Sequence, residues 1–511
     1  MTQQTYRANL TAAEFPMTSE FQGRTVIMAG PDQNYSRQAN SPKNKDRDIG
    51  IPQMYYCHNV IPTDAGLGSV GYLQLAPAPM DTDNTFQDGF TLRDVNDNVA
   101  IFNNTASGRN YVLPTIAAGW LRTTDKAVAT GKEVSTAFVN GETYIYFGGV
   151  GCVKYNFAAN TLDAVILTGL VATDIMGICA SSGYMIAWTV NKIFWSSTID
   201  PTDFVPSLVT GAGSQKLQEA KGSLISVLPQ NNGFIVYTKK NAVSATFTNN
   251  TQYPFKFKEI IGCGGLSTSN LVAYDGNSTN HYAYTTSGLQ EISQNSTVTI
   301  FPQVTDFIAG SQFEDFDELT NTFTELFLSS PMLKKLTMIS NRYLVISYGV
   351  TQLTHALIYD AGLARWGKLK FTHVDCFDFT YPNTAVIETP RRSIGLIQAD
   401  GTVKAVSMSY DTALAYGTVI LGKYQADRNR YCTMEEVHME SIRPGNTLNV
   451  NWLSSIDGKN VAVAPTTLAV DTGTYRRYDS LTAGLNHSLV ISGGFNLHSL
   501  ELKYSDSGAV R

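Results

Sequence analysis

Charge is scarce in this chain of 511 residues: Asp, Glu, Lys and Arg together make up 16%, well under the quarter usual in soluble domains. The balance is slightly acidic, −6, which excludes a surface built as a whole to grip nucleic acid, because that takes clustered Lys and Arg. Cysteine is sparse and scattered, at positions 57, 152, 179, 263, 376 and 432, with no C-x-x-C. These are expected to be buried free thiols of a reducing compartment rather than a disulfide framework. No apolar run approaches the eighteen or so residues of a membrane helix, so no membrane span is expected. The N-terminal MTQQTYRANLTAAEFPMTSEF has neither a basic start nor an apolar stretch, so no secretory signal is read there. Sequons such as Asn277-Ser278-Thr279 then carry no weight. Long stretches with helical apolar spacing and good caps are missing too.

What fills the space is Gly, Asn, Thr, Ser and Tyr, residues that suit tight turns or a pleated surface. The organising stretch is 181–257. It contains SSGYMIAWTVNKIFW and, further on, NNGFIVYTKKNAVSATF. In each segment two small polar residues precede a glycine, Gly183 or Gly233. An aromatic follows, Tyr184 or Phe234, then an apolar run, and an Asn, Asn191 or Asn241, stands eight places after the glycine. β-Branched and aromatic runs cut by polar turns read as hairpins. A hairpin that returns at a near-fixed period signals a repeat architecture.

In order along the chain, 1–85 reads as an irregular, extended N-terminal arm with some linker strands, polar around PDQNYSRQANSPKNKDRDIGIPQ. That polar part is expected either to be disordered by itself or to be an extended arm that orders against a neighbouring subunit. From 86 to 410, seven hairpin-like units recur at a spacing of roughly forty to sixty residues, the size of a four-stranded propeller blade. Their inner strands, such as 234–237 and 343–346, are continuously apolar, as expected of strands covered on both faces. Asp400-Gly401 in the last unit reads as a type I′ turn. The stretch 310–335 breaks the pattern and reads as an inter-blade insertion, helical in part. From 411 to 511 clearer alternation, as in Thr447-Leu448-Asn449-Val450-Asn451-Trp452, suggests a β-sandwich. The expected fold is therefore all-β: a β-propeller of six to eight blades, seven by count, with an N-terminal arm and a C-terminal sandwich. A large sandwich assembly that only looks periodic is the alternative.

Chemistry-bearing patterns are thin. The seven histidines show no metal-ligand spacing, and no H-E-x-x-H occurs, so neither a metal nor a cofactor is implied. Asp94-x-Asn96-x-Asn98 looks like a calcium loop but lacks its glycine and has Thr105 at the twelfth place, so it reads as a turn. Gly262-Cys263-Gly264-Gly265 lies between strands rather than opening a helix, which argues against a phosphate cradle. Asp360-x-Gly362 with Trp366 is one imperfect copy of a sialidase-type turn. Glu314, Asp315, Asp317 and Glu318 read as a solvated acidic loop, with docking or gating of a channel as its functional reading. No catalytic residue is assigned.

Three segments carry a resemblance. They are Phe194-Trp195-Ser196 with Asp200-Pro201-x-Asp203-Phe204, then 233–237 followed by Pro254-Phe255-x-Phe257 and the glycine turn at 262–266, and Ile358-Tyr359-Asp360 with Arg365-Trp366. Over about 70–410 they resemble the propeller of tail nozzle, hub or head-closure proteins of short-tailed bacteriophages, including the DNA-stabilisation type. The resemblance implies a structural virion protein, not an enzyme. It implies a homo-hexameric ring below portal and adaptor proteins, with tail fibres or spikes outside. Viral double-stranded DNA would be held in the lumen and released through it without sequence-specific binding. Assembly would take place in the host cytoplasm. A mildly acidic chain suits such a conduit, since few phosphates would be neutralised. Two other readings stay open: a carbohydrate-binding or glycan-hydrolysing propeller, suggested by the Tyr and Trp content and the acidic loop, and a cellular protein-binding scaffold.

Overall fold

The apolar runs of the repeat units become central strands of small antiparallel sheets in the computed structural model. It describes residues 3–9, 26–27, 54–63, 66–76, 86–96, 98–115, 118–274, 280–301, 312–317, 322–327, 333–363, 365–380, 392–407, 416–425, 430–441, 448–455, 460–462, 466–468, 475–484 and 486–509. The chain is all-β. The first sheet is a meander of Phe86–Arg93, Val99–Thr105, Asn110–Leu113 and Leu121–Arg122. Four-stranded meanders follow over 134–165, 177–216, 224–260 and 272–299. The next, 333–373, runs on into a larger sheet, and the last joins Asp375–Thr380, Arg392–Ile397 and Val403–Ser407. Its fourth strand comes from far upstream: Gly71–Ala76 pairs antiparallel with Val403–Ser407, Leu73 opposite Ala405.

Burial explains the apolar runs. Tyr184–Trp188 and Gly233–Thr238 are buried at every position, because each sheet is covered on both faces by its neighbours. Leu92 and Phe102 of the first sheet pack with Ile145 and Phe147 of the second. Tyr146 packs with Ile178 and Met185, and Ile186 and Trp195 pack with Val227 and Phe234. Tyr237 joins Leu289, which joins Leu344 and Tyr348, and Val345 and Ile358 meet Cys376 and Leu396. Phe377, Phe379 and Ile397 then pack against Phe86, Ile101 and Leu113. The succession of cores returns to its start, a β-propeller-like arrangement.

The sheet 333–373 does not stop at its fourth strand, Arg365–His373. Lys368 pairs with Val60, and the ladder continues through Val60–Thr63, Gly66–Ser69, Asn496–Ala509, Arg430–Ser441 and Tyr475–Gly484. A second C-terminal sheet is built on Gly417–Gln425, Asn486–Gly493 and Leu448–Ser455. Both sheets contribute to one core around Trp452, with Val419, Met434, Leu489 and Leu502. N-terminal strands are threaded into these sheets: Gln3–Asn9 on Asn496–Ala509, and both Val26–Ile27 and Met54–His58 on Gly417–Gln425.

Two local expectations need correction. Asp400-Gly401 is not a type I′ turn, for which both central residues need a positive φ. Of the pair only Gly401 has one, +83°. Its N–H bonds the Gln398 carbonyl at 2.9 Å and the Gln398 N–H bonds the Thr402 carbonyl at 2.9 Å, so backbone bonds close the turn. The Asp400 carboxylate adds to them by accepting the Thr402 N–H at 2.8 Å. True I′ geometry occurs at Asn140-Gly141 (+53°, +79°) and Ser182-Gly183 (+51°, +82°). The stretch 310–335 is not helical where it is described. Gln312–Asp317 and Thr322–Phe327 form an antiparallel hairpin, and from Leu333 the chain is already the first strand of the next sheet.

Candidate functional site

The first strands of neighbouring sheets lie side by side around a common space. One part is a cavity of about 740 Å³ bounded by segments 131–138, 176–182, 224–231 and 267–274. A second, of about 400 Å³, is bounded by 86–88, 334–335, 351–353 and 373–374. Both share Lys132, Glu133 and Asn270, so they are two reaches of one axial space.

Charge collects at that junction. Asp88 lies where the pairing of Phe86–Arg93 with Val99–Thr105 shifts register between Phe86 and Gly89, a bulge that re-aims side chains. Its N–H is held by Asn104 Oδ1 at 3.0 Å. Next to it, Gly89 has no room for a side chain: a Cβ would sit 1.9 Å from Ile397 Cδ1. That close approach lets the Gly89 N–H donate to Asp375 Oδ2 at 2.8 Å. Asp375 Oδ1 accepts the Cys376 N–H at 2.6 Å and forms an ion pair with Lys335 Nζ, which also lies 3.9 Å from Asp88 Oδ1. Glu133 accepts a hydrogen bond from the Ser269 hydroxyl.

The electrostatics follow from enclosure. Burial raises the Asp88 carboxyl above its usual range; Lys335 pulls it down and Asp375 pushes it up. Asp88 is 35% exposed and lines the axial space, so solvent partly screens its charge. Burial raises Glu133 too, with Asp88 adding to the effect. For Lys335, burial alone would lower the ammonium, but Asp375 and Asp88 outweigh it and hold it above its ordinary value. His373 at the wall is pushed down to about 4 by burial. Its Nδ1 lies 2.7 Å from the Phe371 carbonyl, which can only accept, so its Nε2 accepts the Ser347 hydroxyl at 2.9 Å. Chemically, the junction offers two carboxyls raised above their usual range by burial and an ammonium already committed to a carboxylate. It can bind a polar ligand, but Lys335 is no free nucleophile.

Most motifs singled out in the sequence have structural roles. Asp94 Oδ1 accepts the N–H groups of Asn96 and Asn98 at 2.9 and 2.8 Å, which makes a turn. Asp360 accepts from Gly362 and Leu363 and from the Arg342 guanidinium. The N–H groups of Gly264 and Gly265 are taken by Gln290 and Thr286. Five cysteines are buried and free, and burial pushes the Cys57, Cys152 and Cys263 thiols up to about 12, so they are inert. Among the described residues no group of His, Cys, Asp and Glu is placed to hold a metal ion, and no helix is long and apolar enough to cross a membrane. Glu314, Asp315 and Asp317 fall on the first strand of the hairpin, opposite Glu325, Thr324 and Thr322; Glu318 lies outside the described residues.

The hub residues Asp88, Glu133, Lys335 and Asp375 were missed. Their signal was available but faint: each is a charged residue in, or next to, the opening strand of a unit. No protein-family model matches the chain, and no curated protein matches it.

Proposed function

We propose that this chain is a structural subunit of a phage tail nozzle or hub: a seven-bladed β-propeller, closed by the strand Gly71–Ala76 and joined to a C-terminal β-sandwich. The observation that carries the reading is the ladder that runs from Leu333–Ile339 through Val60–Thr63 into the C-terminal strands. A backbone ladder shared by two bodies resists their separation, because parting them would strand buried N–H and C=O groups. That suits a part that transmits load. In this reading six copies close a ring under portal and adaptor proteins, carry fibres or spikes, and let DNA pass along a mildly acidic wall that gains little from counterion release. Electron micrographs of purified protein and of virions are expected to show six-fold rings. A compact monomer at high concentration, together with its absence from particles, defeats the reading.

The hairpin carrying Glu314, Asp315 and Asp317 is the docking or gate element in this reading. Removing residues 311–328 spares the strand that starts at Leu333. The deletion is expected to leave the thermal midpoint intact and abolish DNA retention or fibre attachment; unchanged infectivity refutes the role.

A second reading is favoured by one observation: Asp88 and Glu133 both line the axial junction, where burial raises both carboxyls above their usual range. They would suit binding or hydrolysis of a glycan, with one group acting as the acid. Glycan-array binding with sugar release, lost in Glu133→Gln, would favour it over the ring.

A further inference from the structure

The loops at the ends of the sheet 177–216 gather exposed apolar side chains. Segment 166–171 lies against 198–205: the Thr168 N–H donates to the Thr202 carbonyl and the Phe204 N–H to the Thr168 carbonyl, both at 2.9 Å. Phe204 anchors the loop in the core beneath. Ser197 Oγ accepts the N–H groups of Ile199 and Asp200. This well-hydrogen-bonded loop presents large apolar side chains to solvent: Ile166 is 82% exposed, Ile199 76%, Leu208 72% and Val209 87%, with Val171 and Val205 beside them. Contiguous exposed apolar side chains on a monomer mark an interaction site.

The charge on these loops has one sign. Asp174, Asp200 and Asp203 lie on these loops, and no Lys or Arg occurs in 155–191 or 193–215. The cation that reaches the margin, Lys132, is engaged by the Thr173 and Ile175 carbonyls. Lys192 and Lys216 stand opposite each other at the far end of their strands from this loop.

The complementary chemistry is in the same chain. Segment 28–53 leaves and returns to a single strand, Ile27 being paired with Gln425 and Met54 with Leu421. A segment of that length can reach roughly 40 Å out and back when extended. Within it, 35–47 reads YSRQANSPKNKDR, with Arg37, Lys43, Lys45 and Arg47 against Asp46 alone. We propose that the acidic, apolar loop surface at 166–174 and 198–209 is the docking site for the basic segment 35–47 of a second copy of this chain. The inference rests on the ring reading only for the presence of a neighbouring copy. Matched charge would set orientation and rate of docking, and Tyr35, Ala39 and Pro42 are the segment's residues able to lie on the apolar side chains of the loop.

The test is sedimentation of the full-length protein at low and high ionic strength. Association that weakens with salt is expected. Reversal of the arm (Arg37→Glu, Lys43→Glu, Lys45→Glu, Arg47→Glu) or of the loop (Asp174→Lys with Val209→Lys) is expected to weaken it by about tenfold or more. The thermal midpoint of the loop variant should not change, because Asp174 and Val209 are both exposed. Combining the two reversals is expected to restore association, which a merely misfolded variant cannot do. Rings that form regardless of both reversals overturn this inference and leave the ring reading standing. No association under any condition overturns both. A loop reversal that moves the thermal midpoint but not the mass assigns the contact to the same chain, and overturns the second-copy partner.

Discussion

The sheets 177–216 and 224–260 carry the most similar sequences in the chain, yet they do not superpose as the motif suggests. Aligned on their glycines, Tyr184 matches Phe234 and Asn191 matches Asn241. The ladders align them differently. Ser181 pairs with Tyr184, so the turn is Ser182-Gly183, whereas Gln230 pairs with Gly233, so the turn is Asn231-Asn232. The structural partner of Phe234 is therefore Met185, one place on. A slip of one residue in a strand changes the face, and the packing shows it. Tyr184 and Phe234 both enter the core between these two sheets, from opposite sides, and both meet Phe255, at 5.5 and 4.9 Å. What keeps step is a threonine. The hydroxyls of Thr189, Thr238 and Thr285 each accept an N–H from the turn that follows.

The largest test of that difference is at the two glycines. Gly233 has φ +134°, and a Cβ there would lie 1.8 Å from the Ala245 carbonyl oxygen. Gly233→Ala should cost about 3 kcal/mol or more in urea denaturation, since backbone must move. Gly183 has φ +82° with nothing within 4 Å of its Cβ position, so Gly183→Ala should cost only about 1 kcal/mol. Equal losses would break the comparison.

Next in size is a pH effect special to the sheet 224–260. Tyr237, the structural partner of Trp188, shares a hydrogen bond of 2.8 Å with His281 Nδ1, and His281 Nε2 lies 2.9 Å from the Pro229 carbonyl. Burial pushes this imidazole from 6.5 down to about 4. The folded state thus refuses a proton that the unfolded chain accepts. Stability is full above about pH 6.5 and falls as pH drops toward about 4, by roughly 3 kcal/mol. His373, pushed down to about 4 in the same way, adds a similar slope. Thermal midpoints followed from pH 7 to 4 should flatten in His281→Gln relative to the parent; an unchanged slope would remove His281 from the account.

The asparagines sharpen the contrast further. Asn241 is buried; its Oδ1 accepts the Lys221 N–H at 2.9 Å and its Nδ2 donates to the Glu219 carbonyl and to Glu259. Asn241→Ala should cost about 2 kcal/mol, because two backbone groups lose partners. Asn191 is exposed on its turn, and Asn191→Ala should stay within about 0.5 kcal/mol. Chemical denaturation of the pair checks both values.

Legibility followed the range of the interaction. The hairpins at 184–195 and 234–247 could be read because β-branched runs and polar turns act within a few residues. The turn at Asp400-Gly401 was placed but mistyped, since only Gly401 of the pair takes the positive φ that a type I′ turn needs at both central residues. The hub was illegible: Asp88, Glu133, Lys335 and Asp375 lie in or next to the opening strands of four different sheets, and nothing in their spacing reports a shared axis. The acidic run at 314–318 drew attention because its charges are adjacent in sequence, a local signal of the kind that the hub lacks.

From residue order alone came the all-β class and the recurring hairpin, because these depend on propensities summed over short windows; the helical expectation for part of 310–335 gave way to a hairpin and a strand where that stretch is described. Only the tertiary structure decided that residues 71–76 complete a sheet begun at 375. It also decided that strands near 60 bridge to strands near 500, and that one repeat is offset from the next by a residue. Each of these is a choice among many strand pairings of similar local merit. It is settled by which pairing buries the most apolar surface while leaving the fewest backbone groups without partners.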